Sequence, residues 1–366
     1  MSSEGKEVDR LTQAVQALHA SNQEYLFVTP SADLRYLIGY GAHASERPTL
    51  LVVGATGSRV ILVPELEAPR VPSIPDLESV VYGETSDPLD ALQRVLGGLR
   101  GRAIITDSAW ASVLLRLQSR WTDLVFAPAS PVLRELRMRK TAEELRRLRK
   151  AGQLADRAFN RLLKSRFAGR SERAIAAELN QLLGEEGLDA SDWGPIVAAG
   201  PNSASPHHLT GDRVVREGDA VVLDFGGTVE GYYADMTRTV HIGEPSKEFS
   251  QVYDVVQRAQ AAGVDAATPG VEAQEIDRAA RNVIEESGFG EHFLHRTGHG
   301  LGLEAHEDPY IVEGNSLPLE AGMVFSVEPG IYLSGRFGVR IEDIVALQPQ
   351  GAERMNNATR ELQIVH

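Results

Sequence analysis

Short apolar runs alternate with helical patterns over residues 1 to about 135. Runs rich in β-branched and aliphatic residues predict strands at 25–28, 49–53, 60–63 and 103–106. Apolar residues at helical spacing predict helices at 32–38, 88–96 and 110–117. Strands that alternate with helices in this way predict an α/β layer for the first part of the chain.

A basic segment at residues 133–150 leads to the rest of the chain and carries eight Lys or Arg residues. Thr141 and Glu144 have the spacing of a capping box, and Glu143 precedes Arg147 by four residues, as in a helical ion pair. These spacings predict the exposed face of a helix. A nucleic-acid arm is the poorer interpretation, because the chain is acidic overall. We place the domain boundary here, with domains at 1–136 and 137–366.

The second part of the chain contains two stretches with similar patterns. One helical pattern begins after Gly169 and closes at Gly187, and another begins after Gly270 and closes at Gly288, 18 positions later in both cases. Each follows another helical stretch and leads to a predicted β-hairpin. Two helix–helix–hairpin units that face each other would bring both hairpins to one centre. Chance similarity between ordinary helices is the alternative.

The first of these hairpins carries two acidic residues on otherwise apolar strands around residues 220–240. If its turn is centred between Val229 and Glu230, Asp224 lies directly opposite Asp235. Carboxylates that face each other across a sheet repel one another. We therefore expect a positive charge between them.

The second hairpin repeats this arrangement. Runs at 323–333 and 337–346 predict its strands, and centring the turn on Gly335 puts Glu328 opposite Glu342. Neither turn is of the Asn-Gly type, so a slip of one residue would move a side chain to the other face. Four solvated acids on exposed sheet faces are the alternative, but two facing pairs on apolar strands weigh against it.

Histidines cluster between the two hairpins. The segment HRTGHGLGLEAH contains His295, His299 and His306, and glycines stand on both sides of His299. Glycines permit close approach of the backbone to an ion or ligand, although a lone histidine is more often structural or exposed. His207 and His208 lie in a polar loop before the first hairpin.

The composition excludes some kinds of site and argues against some kinds of partner. With 366 residues the chain is long enough for two domains, and without cysteine it has no disulfide, thiolate site or cysteine nucleophile. The net charge of −14 argues against nucleic acid or an anionic membrane as a partner. The polar N-terminus and the lack of a long apolar run lead us to expect a cytoplasmic protein.

Charge balance favours a metal site. The candidate ligands are four carboxylates and one imidazole, namely Asp224, Asp235, Glu328, Glu342 and His299. One divalent ion would leave two carboxylates uncompensated in a partly buried site, whereas two ions would balance all four. Oxygen-rich ligation with one imidazole suits Mn²⁺, Co²⁺, Fe²⁺ or Zn²⁺. Such a pair of ions would support hydrolysis by metal-bound hydroxide.

At these residues the sequence resembles the pita-bread metallopeptidases, the family of prolidase, aminopeptidase P and methionine aminopeptidase. Its four metal-site segments are matched in order by LDFGGTVEGYYADMTRT, TGHGLGLEAHEDP, SVEPGIY and GVRIEDI. The front part, with TPSADLRYLIGYGAHASERPTLLVV, resembles the creatinase/prolidase-type N-terminal domain. The resemblance implies an α+β fold, a C-terminal pita-bread domain preceded by a smaller α/β creatinase-type domain. It favours the prolidase and aminopeptidase P branch, because plain methionine aminopeptidases lack the front domain.

The resemblance also implies a role for each metal ligand. Asp224 would bind one ion, His299 and Glu328 would bind the other, and Asp235 and Glu342 would bridge the two. Glu328 would also carry a proton from the attacking water to the leaving nitrogen. We expect Mn²⁺ first, with Co²⁺, Zn²⁺ or Fe²⁺ as alternatives.

Residues beyond the ligands resemble the family's substrate contacts. His207 and His306 match histidines that hold the substrate and stabilise the tetrahedral intermediate. His295 and Arg340 match positions that line the pocket for proline and the substrate carboxylate. Tyr332 would hydrogen-bond near the metals, with a packing role as the alternative.

The implied function is hydrolysis of Xaa-Pro peptide bonds by a metal-bridging hydroxide, with proline-containing di- or oligopeptides as substrates and a homodimer as the assembly. Some dedicated prolidases carry an arginine where this chain has Tyr310, so an Xaa-Pro aminopeptidase that acts on longer peptides stays open. A creatinase-like amidinohydrolase or a metal-free binding module of this fold would lack several of the five ligands. None is missing here.

Overall fold

The structure is a computed structural model that describes residues 9–366. The chain divides into two compact units, one that ends at Arg137 and one that spans Met138–His366. No helix within residues 9–366 is long and apolar enough to cross a membrane.

The first unit is built around one sheet of six strands. In chain order its elements are α1 (Arg10–Ala20), β1 (Tyr25–Val28), α2 (Ala32–Ile38), β2 (Leu50–Gly54), β3 (Arg59–Pro64), a 3₁₀ turn (Ala68–Arg70), β4 (Glu78–Tyr82), α3 (Pro88–Leu96), β5 (Gly101–Ile105), α4 (Ala111–Arg120), β6 (Leu124–Pro128) and α5 (Ser130–Met138). The strand order is β4-β3-β2-β1-β5-β6, and β1 pairs antiparallel with β2 but parallel with β5.

The predicted α/β layer is confirmed in this unit. All four predicted strands and all three predicted helices are present, and β1, α2 and α3 have the predicted bounds. The prediction omits α1 and the two edge strands β4 and β6. Both edge strands are largely exposed, with Val81 and Val125 facing solvent. Strand β4 begins with two polar residues, so it lacks the continuous apolar run of a buried strand, whereas β6 (LVFAP) has such a run and the prediction did not use it.

The second unit contains three sheets and four long helices. In chain order its elements are α6 (Ala142–Leu162), α7 (Glu172–Glu186), β7 (Ile196–Ala199), a 3₁₀ turn (Gly200–Ala204), β8 (Ala220–Val229), β9 (Tyr232–Ile242), α8 (Lys247–Ala266), α9 (Ala273–Glu286), a 3₁₀ turn (Gly290–His292), β10 (Gly298–Gly300), β11 (Glu307–Ile311), β12 (Val324–Val327), β13 (Gly330–Leu333), β14 (Phe337–Arg340), β15 (Asp343–Gln348), β16 (Gly351–Arg354) and β17 (Gln363–Val365). The sheets have the orders β17-β9-β8-β7, β11-β10-β12-β15-β16 and β13-β14.

The two helix pairs α6–α7 and α8–α9 have matching surroundings, as the repeat predicts. Helices α7 and α9 are each preceded and followed by a glycine with positive φ, at positions 169, 187, 270 and 288. Just before each of these helices the chain forms an isolated antiparallel bridge, Ser171 with Val214 and Glu272 with Pro318. Helices α7 and α9 therefore have the same flanking geometry in the two halves of the unit, one half with α6–α7 and the β8–β9 hairpin and the other with α8–α9 and the second hairpin.

Helix α6 begins with the predicted capping box. The Thr141 Oγ1 accepts the backbone N–H of Glu144, and the Glu144 carboxylate accepts the N–H of Thr141. The apolar face of α6 is buried, and the Phe159 ring stacks on Phe225 of β8 at 6.1 Å. This packing supports the first hairpin from behind.

The register of the β8–β9 hairpin differs from the prediction. Asp224 pairs with Thr237, and Asp235 pairs with Gly226, so Asp224 and Asp235 are diagonal neighbours and do not face each other directly. The two-residue turn is formed by Glu230 and Gly231, both with positive φ, which is the backbone of a type I′ turn. The pairing partner of Asp224 thereby moves by two residues, so both carboxylates stay on one face.

The predicted register of the second hairpin is correct, but its strands are divided. Gly330 pairs with Arg340 and Leu333 with Phe337 around the turn at Gly335, and the same register continues where Val327 pairs with Asp343. Glu328 and Glu342 lie opposite each other in the gap between the two ladders. Residue 329 is a proline without an N–H to donate, so the ladder breaks beside Glu328.

Candidate functional site

Three buried residues of the second unit converge in a group that could hold a metal ion. They are Asp235 of β9, His299 of β10 and Glu342 in the gap between β14 and β15. One potential ligand atom from each lies within 4.8 Å of the others. Residues more than 100 positions apart in the sequence thus form one site.

Glu328 joins this group through His299. Its Oε1 is 3.3 Å from His299 Nε2, which in turn is 3.9 Å from Asp235 Oδ2. Ser326 holds both partners, because its hydroxyl donates to Glu328 Oε1 at 3.1 Å and accepts the backbone N–H of His299 at 3.0 Å. Thr237 holds Glu342 in the same way, donating from Oγ1 to Oε2 at 2.6 Å.

The electrostatics of the group call for a cation. Burial and the neighbouring carboxylates raise the pKa of Asp235 and Glu342 well above their ordinary values, and burial raises the pKa of Glu328 to about 7. Burial and the nearby His306 lower the pKa of His299 to about 3, so its imidazole is neutral. Within residues 9–366, Asp235 Oδ1 is one of few buried polar side-chain atoms without a hydrogen-bond partner. Three carboxylates and a neutral imidazole are a donor set that fits a divalent ion.

Asp224 is close to this group but is held by a different partner. Its Oδ2 accepts from Arg340 Nη2 at 2.7 Å, and Arg340 is buried. The remaining Arg340 donors reach Thr237 Oγ1 at 3.1 Å and Tyr332 Oη at 3.0 Å. The chain itself thus supplies a positive charge to Asp224, whereas Asp235 receives no hydrogen bond from Arg340 among residues 9–366.

A directed chain of hydrogen bonds leaves Arg340 through Tyr332. Arginine only donates, so the Tyr332 hydroxyl accepts from Arg340 and donates to His295 Nε2 at 2.8 Å. His295 Nδ1 donates to the carbonyl oxygen of Arg296 at 2.7 Å. Burial lowers the pKa of His295 to about 4, so its ring is neutral and accepts at Nε2. These hydrogen bonds connect a fixed, uncharged imidazole through Tyr332 to Arg340, the partner of Asp224.

The other two predicted histidines lie at the exposed side of the site. The His306 ring is 3.9 Å from the His299 ring, centre to centre, and its Nδ1 accepts from Arg296 Nη2 at 3.5 Å. Its proton is then on Nε2, because a neutral imidazole carries only one. His207 is exposed in the loop that follows the 3₁₀ turn at Gly200–Ala204.

The loop that carries His207 is fixed by Glu172, the first residue of α7. This fully buried carboxylate accepts from the backbone N–H of Ala199 and Gly211 and from the side chains of Asn202 and His208, at 2.8–3.2 Å. These four hydrogen bonds connect both ends of the loop to one helix terminus. Ser203 and Thr210 add further contacts, since the Ser203 hydroxyl accepts the N–H of Gly338 at 2.8 Å and the Thr210 hydroxyl accepts the N–H of Val197 at 2.9 Å.

Sequence reasoning missed Thr237, Ser326 and Glu172. Thr237 stands two residues after Asp235, and Ser326 stands two residues before Glu328, so strand periodicity could have placed both beside the ligands. Glu172 follows the N-cap residue Ser171, where an acidic residue is ordinary, so no signal distinguished it.

We expect Tyr332→Phe to lower kcat/KM about tenfold, because it removes a hydrogen bond worth about 1–1.5 kcal/mol from both Arg340 and His295. Metal content should not change. The matched control is Tyr253→Phe, since Tyr253 is also buried and donates only to the carbonyl of Arg360, at 2.9 Å. Equal activity losses in the two variants would contradict a role for Tyr332 in the site.

Two family descriptions match this chain. Residues 146–349 match metallopeptidase family M24, and residues 10–139 match the creatinase/prolidase N-terminal domain. The two matches are consecutive along the chain.

Individual proteins are similar over nearly the full length. A probable dipeptidase PepE from Mycobacterium tuberculosis is 43% identical over 361 residues, which cover 97% of this chain and 96% of the relative. A solved prolidase from Thermococcus sibiricus is 36% identical with a TM-score of 0.94, covering 99% of this chain and 100% of that one. A solved X-Pro aminopeptidase from Thermotoga maritima is 32% identical with a TM-score of 0.86, covering 98% and 100%.

Proposed function

Because this chain belongs to metallopeptidase family M24 and is a peptidase, we propose that it hydrolyses the peptide bond before a proline residue, with two divalent metal ions. The expected fold, a pita-bread domain preceded by a creatinase-type domain, is confirmed. The observation that supports the proposed chemistry is the buried group of Asp235, His299 and Glu342 with Glu328 beside it.

The residues present suit such ions. Asp235, Glu328, Glu342 and His299 offer oxygen and neutral nitrogen donors, and Asp235 Oδ1 has no other partner within residues 9–366. Asp224 can keep Arg340 on Oδ2 and offer its second oxygen. We assign all five as ligands. When bound, the ions supply Lewis-acid polarisation of the scissile carbonyl and activation of a water molecule.

The chain's own residues supply the proton transfers. The Glu328 carboxylate lies beside the group of Asp235, His299 and Glu342, where it can take a proton from the attacking water and give it to the leaving nitrogen. His306 has its proton on Nε2 and can donate to a substrate oxygen on which negative charge develops. We assign the same kind of contact to His207, held in its loop by Glu172.

The proposed preference for proline after the scissile bond requires a pocket for the proline ring. A bond to proline is a tertiary amide without an N–H, so its recognition depends on the shape and polarity of the ring. The neutral His295 imidazole and the Tyr332 ring lie 5.4 Å apart, and we propose that the faces of these two uncharged rings pack against the pyrrolidine. We assign His295, Tyr332 and Arg340 to this pocket.

The proposal also includes Mn²⁺ as the native ion, a cytoplasmic location and a homodimeric assembly. These three parts rest on the family resemblance and on composition. Metal analysis and light scattering of the purified protein test the ion and the assembly.

The function is tested with the purified protein and added Mn²⁺, Co²⁺ or Zn²⁺. Xaa-Pro dipeptides, Xaa-Pro-Yaa tripeptides and the same peptides with alanine in place of proline are compared. We expect hydrolysis before proline at least about tenfold faster in kcat/KM than before alanine, a difference of about 1.4 kcal/mol. Activity should disappear with a chelator and return with metal. Hydrolysis that survives chelation, or equal rates before alanine and proline, would reject the proposal.

A further inference from the structure

The site contains two guanidinium groups with different surroundings. Arg340 is buried, and its donors are engaged by Asp224, Thr237 and Tyr332 at 2.7–3.1 Å. A carboxylate on a substrate could bind Arg340 only in competition with Asp224. The positive charge of Arg340 therefore balances the chain's own acid.

Arg296 has no such partner. Within residues 9–366, no Asp or Glu oxygen lies within ion-pair distance of its guanidinium. The group lies over the Tyr310 ring, 4.4 Å from its centre, and makes one long hydrogen bond to His306. Arginines on the surface of this unit, such as Arg278, pair with carboxylates. A guanidinium that is half-buried, held in place and unpaired beside a reactive centre is suited to bind an anion.

Arg296 is separated from the proposed metal ligand His299 by one residue, His306. The His299 and His306 rings are 3.9 Å apart, and His306 Nδ1 is 3.5 Å from Arg296 Nη2. In a dipeptide the C-terminal carboxylate belongs to the residue directly after the scissile bond. Each further residue moves that carboxylate away by up to about 3.3–3.6 Å. A cation this close to His299 suits the carboxylate of a dipeptide better than that of a longer peptide.

We propose that Arg296, held over the Tyr310 ring, binds the free C-terminal carboxylate of the substrate and makes this enzyme selective for dipeptides. The proposal rests on the proposed function, because it assigns the substrate class of the same site. Tyr310 then contributes by holding the guanidinium, since its ring centre lies 4.4 Å from Arg296 Cζ and a ring engages none of the N–H groups of Arg296 in an ion pair. Arg296 is a specificity-determining residue, and the proton transfers stay with Glu328 and the histidines.

The experiment compares one Xaa-Pro dipeptide with its C-terminal amide and with an Xaa-Pro-Yaa tripeptide, on the metal-loaded full-length protein. We expect kcat/KM of the wild type to be at least about tenfold higher for the dipeptide than for the amide. A difference of this size corresponds to the loss of one charge-assisted hydrogen bond. Arg296→Gln should lower kcat/KM for the dipeptide about 10–100-fold, mainly through KM. Hydrolysis of the amide should change less than about threefold.

Two further variants separate recognition from structure. Arg296→Lys keeps the charge but loses the planar fork, so it should retain part of the preference for the carboxylate. Tyr310→Ala removes the ring under the guanidinium and should lower the preference in the same direction as Arg296→Gln. The matched control is Arg278→Gln, because the Arg278 guanidinium is exposed and contacts only residues remote from the site. Metal content and melting temperature are measured for every variant.

The outcomes separate this proposal from the proposed function. If Arg296→Gln slows the dipeptide and the amide equally, Arg296 acts only through His306 and carboxylate recognition is rejected. If the wild type cleaves the amide or the tripeptide as well as the dipeptide, dipeptide selectivity is rejected while Xaa-Pro hydrolysis stands. If the wild type with metal cleaves none of the three, both proposals are rejected.

Discussion

Replacing Asp235 by alanine is expected to remove bound metal and to lower kcat/KM by roughly a thousandfold or more, since the ions supply several kcal/mol of transition-state stabilisation. Asp235 is buried between His299 and Glu342, and its Oδ1 has no partner from the chain within residues 9–366. Its removal deletes ligand atoms without freeing any other group. Metal content by mass spectrometry and kcat/KM on one Xaa-Pro dipeptide are the two measurements.

The matched variant is His306→Ala. His306 lies against His299 but offers no ligand atom to the group of Asp235, His299 and Glu342. We expect its loss to lower kcat about 10²–10³-fold, as for removal of one donor to a developing negative charge, while metal content stays unchanged. Equal metal loss in the two variants would mean that His306 is needed for the metal centre itself.

Replacing Asp343 by alanine is expected to lower the melting temperature of the second unit by about 6–20 °C, since breaking a buried ion pair costs about 3–5 kcal/mol. The Asp343 carboxylate is fully buried and accepts from Arg238 at 2.6 Å and from Gln260 at 3.1 Å. Arg354 and Arg360 also pair with it. Without Asp343, the buried Arg238 guanidinium keeps backbone carbonyl partners but no counter-charge. Circular dichroism against temperature is the measurement.

The control for this variant is Asp254→Ala. Asp254 pairs with Arg258 one helical turn away on the exposed face of α8, at 2.9 Å. An exposed pair of this kind is worth about 0–1 kcal/mol, so the melting temperature should fall by no more than about 4 °C. A similar shift in melting temperature for both variants would show that the buried Asp343 ion pair stabilises the fold no more than the exposed Asp254 pair does.

The residues that we propose as ligands could be selected from the sequence because each stands in a segment with its own signal. Asp224 and Asp235 interrupt apolar strands, and glycines surround His299. The register that joins the first two acids could not be found, because it depends on a positive φ at Glu230. Glutamate rarely adopts that conformation, so residue type alone pointed to a turn one position away.

Hydrogen bonds between residues far apart in the sequence could not be predicted either. The partner of Asp224 is Arg340, 116 residues later, and that of Glu172 is the loop near residues 199–211. Neither contact has a local pattern. The first forms only when the two β-hairpins pack together, and the second forms only when α7 packs against the loop that precedes β8. The resemblance pointed to Arg340 as a pocket residue, and packing decides that Asp224 is the carboxylate it contacts.

The matching halves of the second unit have a mechanical consequence. Asp224 and Asp235 come from the hairpin of the first half, whereas Glu328 and Glu342 come from that of the second. An ion shared by these side chains would fasten one half of the molecule to the other, and its binding free energy would resist their separation. Loading with metal should therefore raise the melting temperature of the second unit, so that one metal centre would serve both the reaction and the stability of the fold.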